Sequence, residues 1–337
     1  MAEISHRALR ELIESFGGVD EYFSEMLAAG AVTQNGIFES YYLDAGPVPE
    51  KFVYQICGVN KEQLACAASF LDKKQCKGID INMGCSAPAI VRTGAGAAWL
   101  SDIEKSAEMM RAVRRATKKR LSVKMRIGER DDFEYLVRFC TMLENEGVEF
   151  ITLHPRTTKE KFKRRARWNY IDELQKILGI PLAGNGDISS AESLYNYAIS
   201  GKYHALMIGR FAVKSPWVFA QVKNMPQNNK IQNSAASELC PDLATKIDLE
   251  GIACYFLDLL TRYQPQEFFL SRSRRFFTFF STNFKWGEYL KNLLFRETTM
   301  QGMRSVLHSY FNEHPQEKFL SPVNFTGSAG HPAPAES

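Results

Sequence analysis

The chain has 337 residues, 45% of them hydrophobic and 24% charged, which is typical of a globular protein and excludes a collagen-like or a disordered chain. Its formal net charge of +4 is mildly basic and by itself selects no partner. The first residues carry charge where a signal peptide would be apolar, and no run of ~18 apolar residues predicts a membrane-spanning helix. We therefore expect a cytoplasmic protein that does not bind membranes.

Seven short apolar runs alternate with amphipathic helical stretches between residue 20 and about residue 225. The runs are 22–27, 52–58, 78–84, 121–128, 148–155, 180–188 and 205–211. Each has the length and character of a strand buried on both faces, and strands alternating with helices predict a parallel sheet. The fold class is therefore α/β, with a (β/α)8 TIM barrel over residues 1–225. Its first strand is expected to be truncated, because the chain opens directly into a helix.

The chain changes character after residue 225. Residues 226–242 are polar and predict a linker. Residues 243–315 have a helical pattern rich in Phe, Arg and Lys, which predicts a small all-helical C-terminal domain. Residues 316–337 are dominated by Pro, Gly, Ala and Ser and predict a disordered tail. No feature indicates an oligomer, and we expect a monomer.

Polar residues stand at the ends of the predicted strands, where a parallel barrel places its active site. They are Gln55, Asn82, Cys85, Lys124, Arg126, His154, Arg156, Asn185, Gly186, Asp187, Gly209 and Arg210. A single strand-end polar residue often only caps the next helix, but polar residues at so many successive strand ends indicate a functional site. The last two strand ends, Asn185-Gly186-Asp187 and Gly209-Arg210, fit the usual phosphate position of barrels.

Lys124 and Cys85 suggest the chemistry of this site. A lysine in a buried strand is costly unless it meets an anion or an electron-rich ring, and a flavin would be such a partner. Cys85 precedes a glycine-rich loop, where a thiol can act as a general acid, although a lone cysteine is more often a small buried hydrophobe. The seven cysteines form no CxxC pair, so we expect neither a disulfide framework nor a metal site.

Eight segments follow one another over about residues 1–220: FSEML, VYQICG, GIDINMGCSAPAIVRTGAGAAWL, LSVKMRIG, ITLHPRTTKEKF, RWNYI, LAGNGDI and ALMIGRFAVKSPWVF. In this order and spacing they resemble the tRNA-dihydrouridine synthases. The resemblance implies an FMN-dependent oxidoreductase that reduces uridine in tRNA to dihydrouridine, with NADPH or NADH re-reducing the flavin. Hydride would go to carbon-6 of a flipped-out uracil, and Cys85 would protonate carbon-5.

The resemblance also implies roles for particular residues. The FMN contacts would be Met1, Gln55, Lys124, His154, Asn185, Asp187, Gly209 and Arg210. Asn82 would hold the uracil, with Arg126 adding charge nearby. Two departures from the family pattern stand out. Ser86 follows Cys85 where the family usually has Pro, and the chain begins at the Met that would end the first strand. If that strand is truly absent, we expect an open barrel edge to be exposed and FMN binding to be weakened.

Basic residues interleaved with aromatic ones predict RNA contacts in two places. The loop 156–167, which contains Arg156 and Lys159, is expected to rim the site and to bind RNA. In the helical domain, Arg272 and Arg275 are expected to face RNA, whereas the basic run at 114–120 is expected to be only a solvated surface. Two alternatives remain open: another FMN-dependent barrel oxidoreductase acting on a small molecule, and a non-catalytic RNA-binding barrel.

Overall fold

The structure is a computed structural model that describes residues 1, 3–34, 36–225 and 246–320. The predicted linker at 226–242 lies outside the described residues, as does the tail from residue 321 onward. Of the expected tail at 316–337, residues 316–320 are described, and residues 319–320 form a short antiparallel pair with residues 247–248.

Seven parallel strands form one sheet in chain order, each hydrogen-bonded to the next. They are β1 (Tyr22–Ala28), β2 (Phe52–Cys57), β3 (Gly78–Met83), β4 (Arg120–Arg126), β5 (Phe150–His154), β6 (Leu182–Asn185) and β7 (Ala205–Met207). The short antiparallel pair consists of β8 (Ile247–Asp248) and β9 (Phe319–Leu320). All seven predicted strands are confirmed. Among the described strands, β1 and β7 are not paired with each other, so the barrel is open between them.

Helices connect the strands and then form the C-terminal region. The first ten are α1 (Arg7–Glu14), α2 (Glu39–Tyr42), α3 (Lys61–Asp72), α4 (Pro88–Val91), α5 (Ile103–Ala116), α6 (Phe133–Asn145), α7 (Trp168–Ile177), α8 (Ala191–Ile199), α9 (Arg210–Lys214) and α10 (Val218–Lys223). The C-terminal four are α11 (Leu249–Tyr263), α12 (Phe269–Phe280), α13 (Gly287–Arg296) and α14 (Met300–Glu313). The predicted fold class, a TIM-barrel-like α/β unit followed by helices, is confirmed.

Local sequence explains where these helices start and which face they bury. Helix α5 begins after Asp102, whose carboxylate accepts a hydrogen bond from the Lys105 amide at 3.0 Å. Its buried residues include Ala107, Met110 and Val113, which recur at helical spacing and pack toward the sheet. No helix in the described part of the chain is long and apolar enough to cross a membrane.

The C-terminal helices pack on one another through an aromatic core, and a buried ion pair joins them to the barrel. Phe276 on α12 stacks on Phe256 of α11, with ring centroids 3.8 Å apart. A bulge in β1 interrupts the register between Phe23 and Met26. Within the bulge, Glu25 accepts a hydrogen bond from Arg272 of α12 at 2.7 Å. Because both side chains are buried, this pair fixes α12 against the first strand.

Candidate active site

The strand register gathers the predicted polar residues at one end of the barrel. Side chains of adjacent parallel strands at the same register face the same side of the sheet, so they form layers. From the middle of the strands toward their carboxyl ends, the three layers are Gln55–Asp80–Ser122, Asn82–Lys124–Thr152 and Arg126–His154. The carboxyl end of this barrel is therefore polar.

A row of hydrogen bonds connects the deepest layer to Cys85. The amide nitrogen Nε2 of Gln55 donates to Asp80 at 2.8 Å. Nδ2 of Asn82 donates to Oε1 of Gln55 at 2.9 Å. Oδ1 of Asn82 accepts from the backbone N–H groups of Gly84 at 3.1 Å and of Cys85 at 2.9 Å. Asn82 thus holds the turn that carries Cys85.

Cys85 lies in a turn whose backbone is hydrogen-bonded through both its amide and its carbonyl group. Its carbonyl oxygen accepts a hydrogen bond from the Ala97 amide at 3.0 Å. At Gly96, φ is +61° and an added Cβ would lie 2.7 Å from that same oxygen, so only glycine fits there. Ser86 follows Cys85 without a regular element, and Pro88 begins α4. The partly exposed thiol is accessible while its backbone is fixed.

Lys124 lies in the second layer, partly buried and close to two charged residues. Burial lowers the pKa of Lys124 to about 8, while the charge of Asp80 opposes this shift and Arg126 adds to it. Burial also raises the pKa of Asp80 to about 6, against the hydrogen bonds from Ser122 and Gln55. Lys124 interacts with these neighbours through charge and not through a hydrogen bond, so its ammonium group can donate to a ligand.

His154 ends β5 as a neutral imidazole surrounded by cations. Burial, together with the charges of Lys124, Arg126, Arg156 and Arg210, lowers its pKa to about 2. A guanidinium can only donate, so Nε2, which lies 2.9 Å from the Arg156 guanidinium, accepts. The proton of the neutral ring is therefore on Nδ1, which makes this nitrogen a donor.

Arg156 connects His154 to the basic loop. Its side chain is only 3% exposed and forms an ion pair with Asp187. It also donates to the carbonyl oxygen of Arg164. The second carboxylate oxygen of Asp187 accepts from the Ala166 amide at 2.7 Å. The structure thus uses Arg156 and Asp187 to hold the loop to the end of β6.

Phe162 lies above the mouth of the barrel at the tip of this loop. It is 59% exposed, and its ring stacks on His154 with 6.2 Å between centroids. The guanidinium groups of Arg210 and Arg126 lie 4.5 and 5.5 Å from the ring centroid. These distances are within the range of cation–π contacts, so one exposed ring brings together three predicted site residues.

The ends of β6, β7 and the N-terminus meet on the other side of the mouth. Nδ2 of Asn185 donates to the carbonyl oxygen of Met207 at 2.8 Å and so fixes the two strand ends together. A Cβ at Gly209 would lie 3.2 Å from the sulfur of Met1, so Met1 contacts the end of β7. The exposed side chain of Arg210 follows at the start of α9.

The sequence model described as Dihydrouridine synthase (Dus) matches residues 1–317. The chain belongs to the dihydrouridine synthase family. A "Probable tRNA-dihydrouridine synthase" of Aquifex aeolicus is 32% identical over 230 residues, which cover 66% of this chain and 71% of that protein. A protein of the same description from Helicobacter pylori is 29% identical over 220 residues, or 64% of this chain and 66% of that one.

A eukaryotic relative matches over a similar part of this family member. The rat protein "tRNA-dihydrouridine(47) synthase [NAD(P)(+)]-like" is 30% identical over 216 residues, which cover 64% of this chain and 33% of the rat protein. The resemblance inferred from the ordered segments is therefore confirmed at the level of the family.

The predicted RNA contacts of this dihydrouridine synthase family member fall into different environments. Arg156 and Arg272 are buried in ion pairs with Asp187 and Glu25, so the structure places them away from the solvent where RNA would approach. Lys159 and Arg275 are exposed, and each pairs with a carboxylate, Glu129 and Glu3 respectively. Four further cationic side chains of the loop 156–167 are exposed: Lys161, Lys163, Arg164 and Arg165.

Sequence reasoning missed two members of the site. Asp80 is an acidic residue between Ile79 and Ile81 in an apolar run, and this contrast was the signal that could have found it. Phe162 is the single aromatic residue within the basic run 156–167, but its position over the mouth depends on the path of the loop. Within the described residues, no group of three His, Cys, Asp or Glu side chains could hold a metal ion.

Proposed function

We propose that this protein reduces uridine in tRNA to 5,6-dihydrouridine, with FMN as cofactor and NADPH or NADH as reductant. The observation that supports it most is the meeting of a partly exposed thiol, Cys85, with the cation of Lys124 and the neutral donor His154 at one barrel mouth. Family membership and the names of the relatives point to the same reaction. In this proposal the enzyme acts as a cytoplasmic monomer.

The donors at the mouth fit an anionic ring system such as a flavin. Among the described residues, no acceptor is hydrogen-bonded to the ammonium group of Lys124 or to Nδ1 of His154. Both groups are removed from water, which strengthens their interaction with a nearby anion. Arg210, together with Gly209 and Asn185, would bind the ribityl phosphate. When bound, FMN would supply the hydride for carbon-6 of the uracil.

Cys85 is then the acid of the reaction. Its thiol would donate a proton to carbon-5 of the uracil, where negative charge develops as carbon-6 is reduced. Asn82 keeps the Cys85 backbone fixed, so that the thiol does not have to be ordered during the reaction. Lys124 and Arg126 interact with Cys85 through charge, which places cations near the developing negative charge.

The exposed basic loop would bind the RNA around the mouth. Lys163, Arg164 and Arg165 lie next to Phe162, whose exposed ring offers a surface on which a base can stack. A uracil must leave its stack to reach a site inside a barrel, and cations beside an aromatic ring favour that state. Lys159 and Arg275 could join after exchanging their carboxylate partners for phosphates.

An assay of the purified protein tests this function. The protein with added FMN and NADPH is incubated with an unmodified tRNA transcript, and nucleosides are analysed by mass spectrometry. Dihydrouridine that depends on both cofactors supports the proposal. Reduction of a free small molecule without any reduction of tRNA would favour the other flavin-dependent oxidoreductase. A protein that binds tRNA but no FMN would favour the non-catalytic alternative.

A further inference from the structure

Asp80 is buried in the middle of the barrel, below the residues that carry the chemistry. Its side chain has no exposed surface. One carboxylate oxygen accepts from the hydroxyl of Ser122 at 2.7 Å and the other from Nε2 of Gln55 at 2.8 Å. A buried carboxylate is unfavourable, so its presence requires a reason beyond packing.

The row of hydrogen bonds from Asp80 to Cys85 has a fixed direction, because the group at one end can only accept and the group at the other end can only donate. An ionised carboxylate can only accept, so Gln55 must turn its NH₂ group toward Asp80 and its oxygen toward Asn82. At the other end, the backbone amide of Cys85 can only donate, so Asn82 must turn its oxygen toward that amide. The two amides between these ends satisfy both requirements in a single arrangement.

We propose that Asp80 is a positioning residue that orients the amides of Gln55 and Asn82 and thereby fixes the turn carrying Cys85. It touches neither the thiol nor the mouth, and it acts only through the two amides. Its consequence for catalysis rests on the proposed function, in which Cys85 donates a proton. Its effect on the turn can be measured without tRNA, FMN or reductant.

Three substitutions separate this role from a general contribution to stability. Asp80→Leu removes the acceptor and leaves Gln55 free to rotate. Asp80→Asn keeps an acceptor but loses the charge that selects one orientation, since an amide can present either end. Ser122→Ala removes the other partner of Asp80 and leaves the row to Cys85 intact, so it is the matched control.

Hydrogen exchange resolved at the Gly84 and Cys85 amides is the direct measurement. Loss of one net hydrogen bond predicts exchange that is about tenfold faster in Asp80→Leu, and about two- to threefold faster in Asp80→Asn. Ser122→Ala should exchange at the wild-type rate at both amides. Amides in the interior of β3 and β4 should keep their wild-type rates in all three variants, because the effect is local.

Alkylation of cysteine gives a second reading in the same samples. Cys66 is exposed on α3, away from the row, and serves as an internal reference for the partly exposed Cys85. The ratio of Cys85 to Cys66 modification should rise several-fold in Asp80→Leu and stay unchanged in Ser122→Ala. If Asp80→Leu does not fold, the comparison of Asp80→Asn with Ser122→Ala tests the positioning role instead.

Three results would overturn the positioning role. The first is wild-type exchange at Gly84 and Cys85 in folded Asp80→Leu, or in Asp80→Asn if the leucine variant does not fold. The second is faster exchange spread evenly over β3 and β4, and the third is equal acceleration in Ser122→Ala; each of these two would indicate a purely structural residue. None of the three results bears on whether tRNA is the substrate, so failure here and failure of the proposed function are distinguishable.

Discussion

The guanidinium group of Arg156 donates a hydrogen bond of 2.9 Å to Nε2 of His154. This contact fixes the tautomer of the imidazole, and burial together with the cations around the ring keeps it neutral. Nδ1 therefore carries a proton that a ligand can accept. In the proposed reaction, the histidine acts as a hydrogen-bond donor of constant charge and not as an acid or base.

This neutrality predicts how stability depends on pH. The pKa of His154 is about 2 in the folded protein and ~6.5 when unfolded, so the unfolded state binds more protons between these values. Stability must therefore fall as the pH is lowered through this range, by ~2 kcal/mol from pH 7 to pH 5. Urea unfolding at pH 7 and at pH 5 gives the free energy of unfolding at each pH. In His154→Asn the difference between the two values should be smaller than in the wild type by this amount.

The exposed His204 provides the control for this measurement. His204→Asn should leave the difference between pH 7 and pH 5 as it is in the wild type. A His154→Asn variant that loses as much stability as the wild type on acidification would show that the histidine protonates freely in the folded protein.

Cys85→Ala should leave the fold and FMN binding unchanged but slow uridine reduction by about 10²- to 10⁴-fold, the usual contribution of a general acid. Flavin reduction by NADPH should keep its wild-type rate, because the thiol serves only the second half of the reaction. Stopped-flow absorbance separates the two halves. Cys66→Ala is the control, and wild-type reduction of uridine by Cys85→Ala would remove this residue from the mechanism.

Lys124→Met should weaken FMN binding by about 10- to 100-fold, which corresponds to one hydrogen bond to a charged group. The physical reason is that the ammonium group is desolvated and has no hydrogen-bonded acceptor among the residues that the structure describes. Titration of the apoprotein with FMN, followed by fluorescence quenching, measures the effect. Lys118→Met changes an exposed lysine at the other end of β4 and should bind FMN like the wild type.

Lys163→Ala/Arg165→Ala should weaken tRNA binding and lower the slope of log K against log salt by about one to two units. Both side chains are exposed beside Phe162, where the RNA is proposed to lie. Fluorescence anisotropy between about 50 and 200 mM salt gives the slope. The matched control is Arg115→Ala/Lys118→Ala in the basic run at 114–120. An equal loss of tRNA affinity in both double variants would show that binding depends on the overall charge of the protein and not on this loop.

The strands could be predicted from the sequence because buried parallel strands are short apolar runs separated by helices. The strand-end polar residues followed from the same pattern, since every carboxyl end meets at one mouth. Pairings across the chain could not be predicted in this way. Arg156 meets Asp187 31 residues away, and Arg272 meets Glu25 247 residues away, so both looked like free cations in the sequence.

The central claim is that this chain makes dihydrouridine in tRNA, and a comparison of tRNA from cells with and without the gene tests it most directly. Mass spectrometry locates each dihydrouridine. We predict that at least one site is lost without the gene, that the wild-type gene restores it, and that Cys85→Ala does not. Persistence of every dihydrouridine site without the gene, together with no activity on unmodified tRNA in vitro, would contradict the claim.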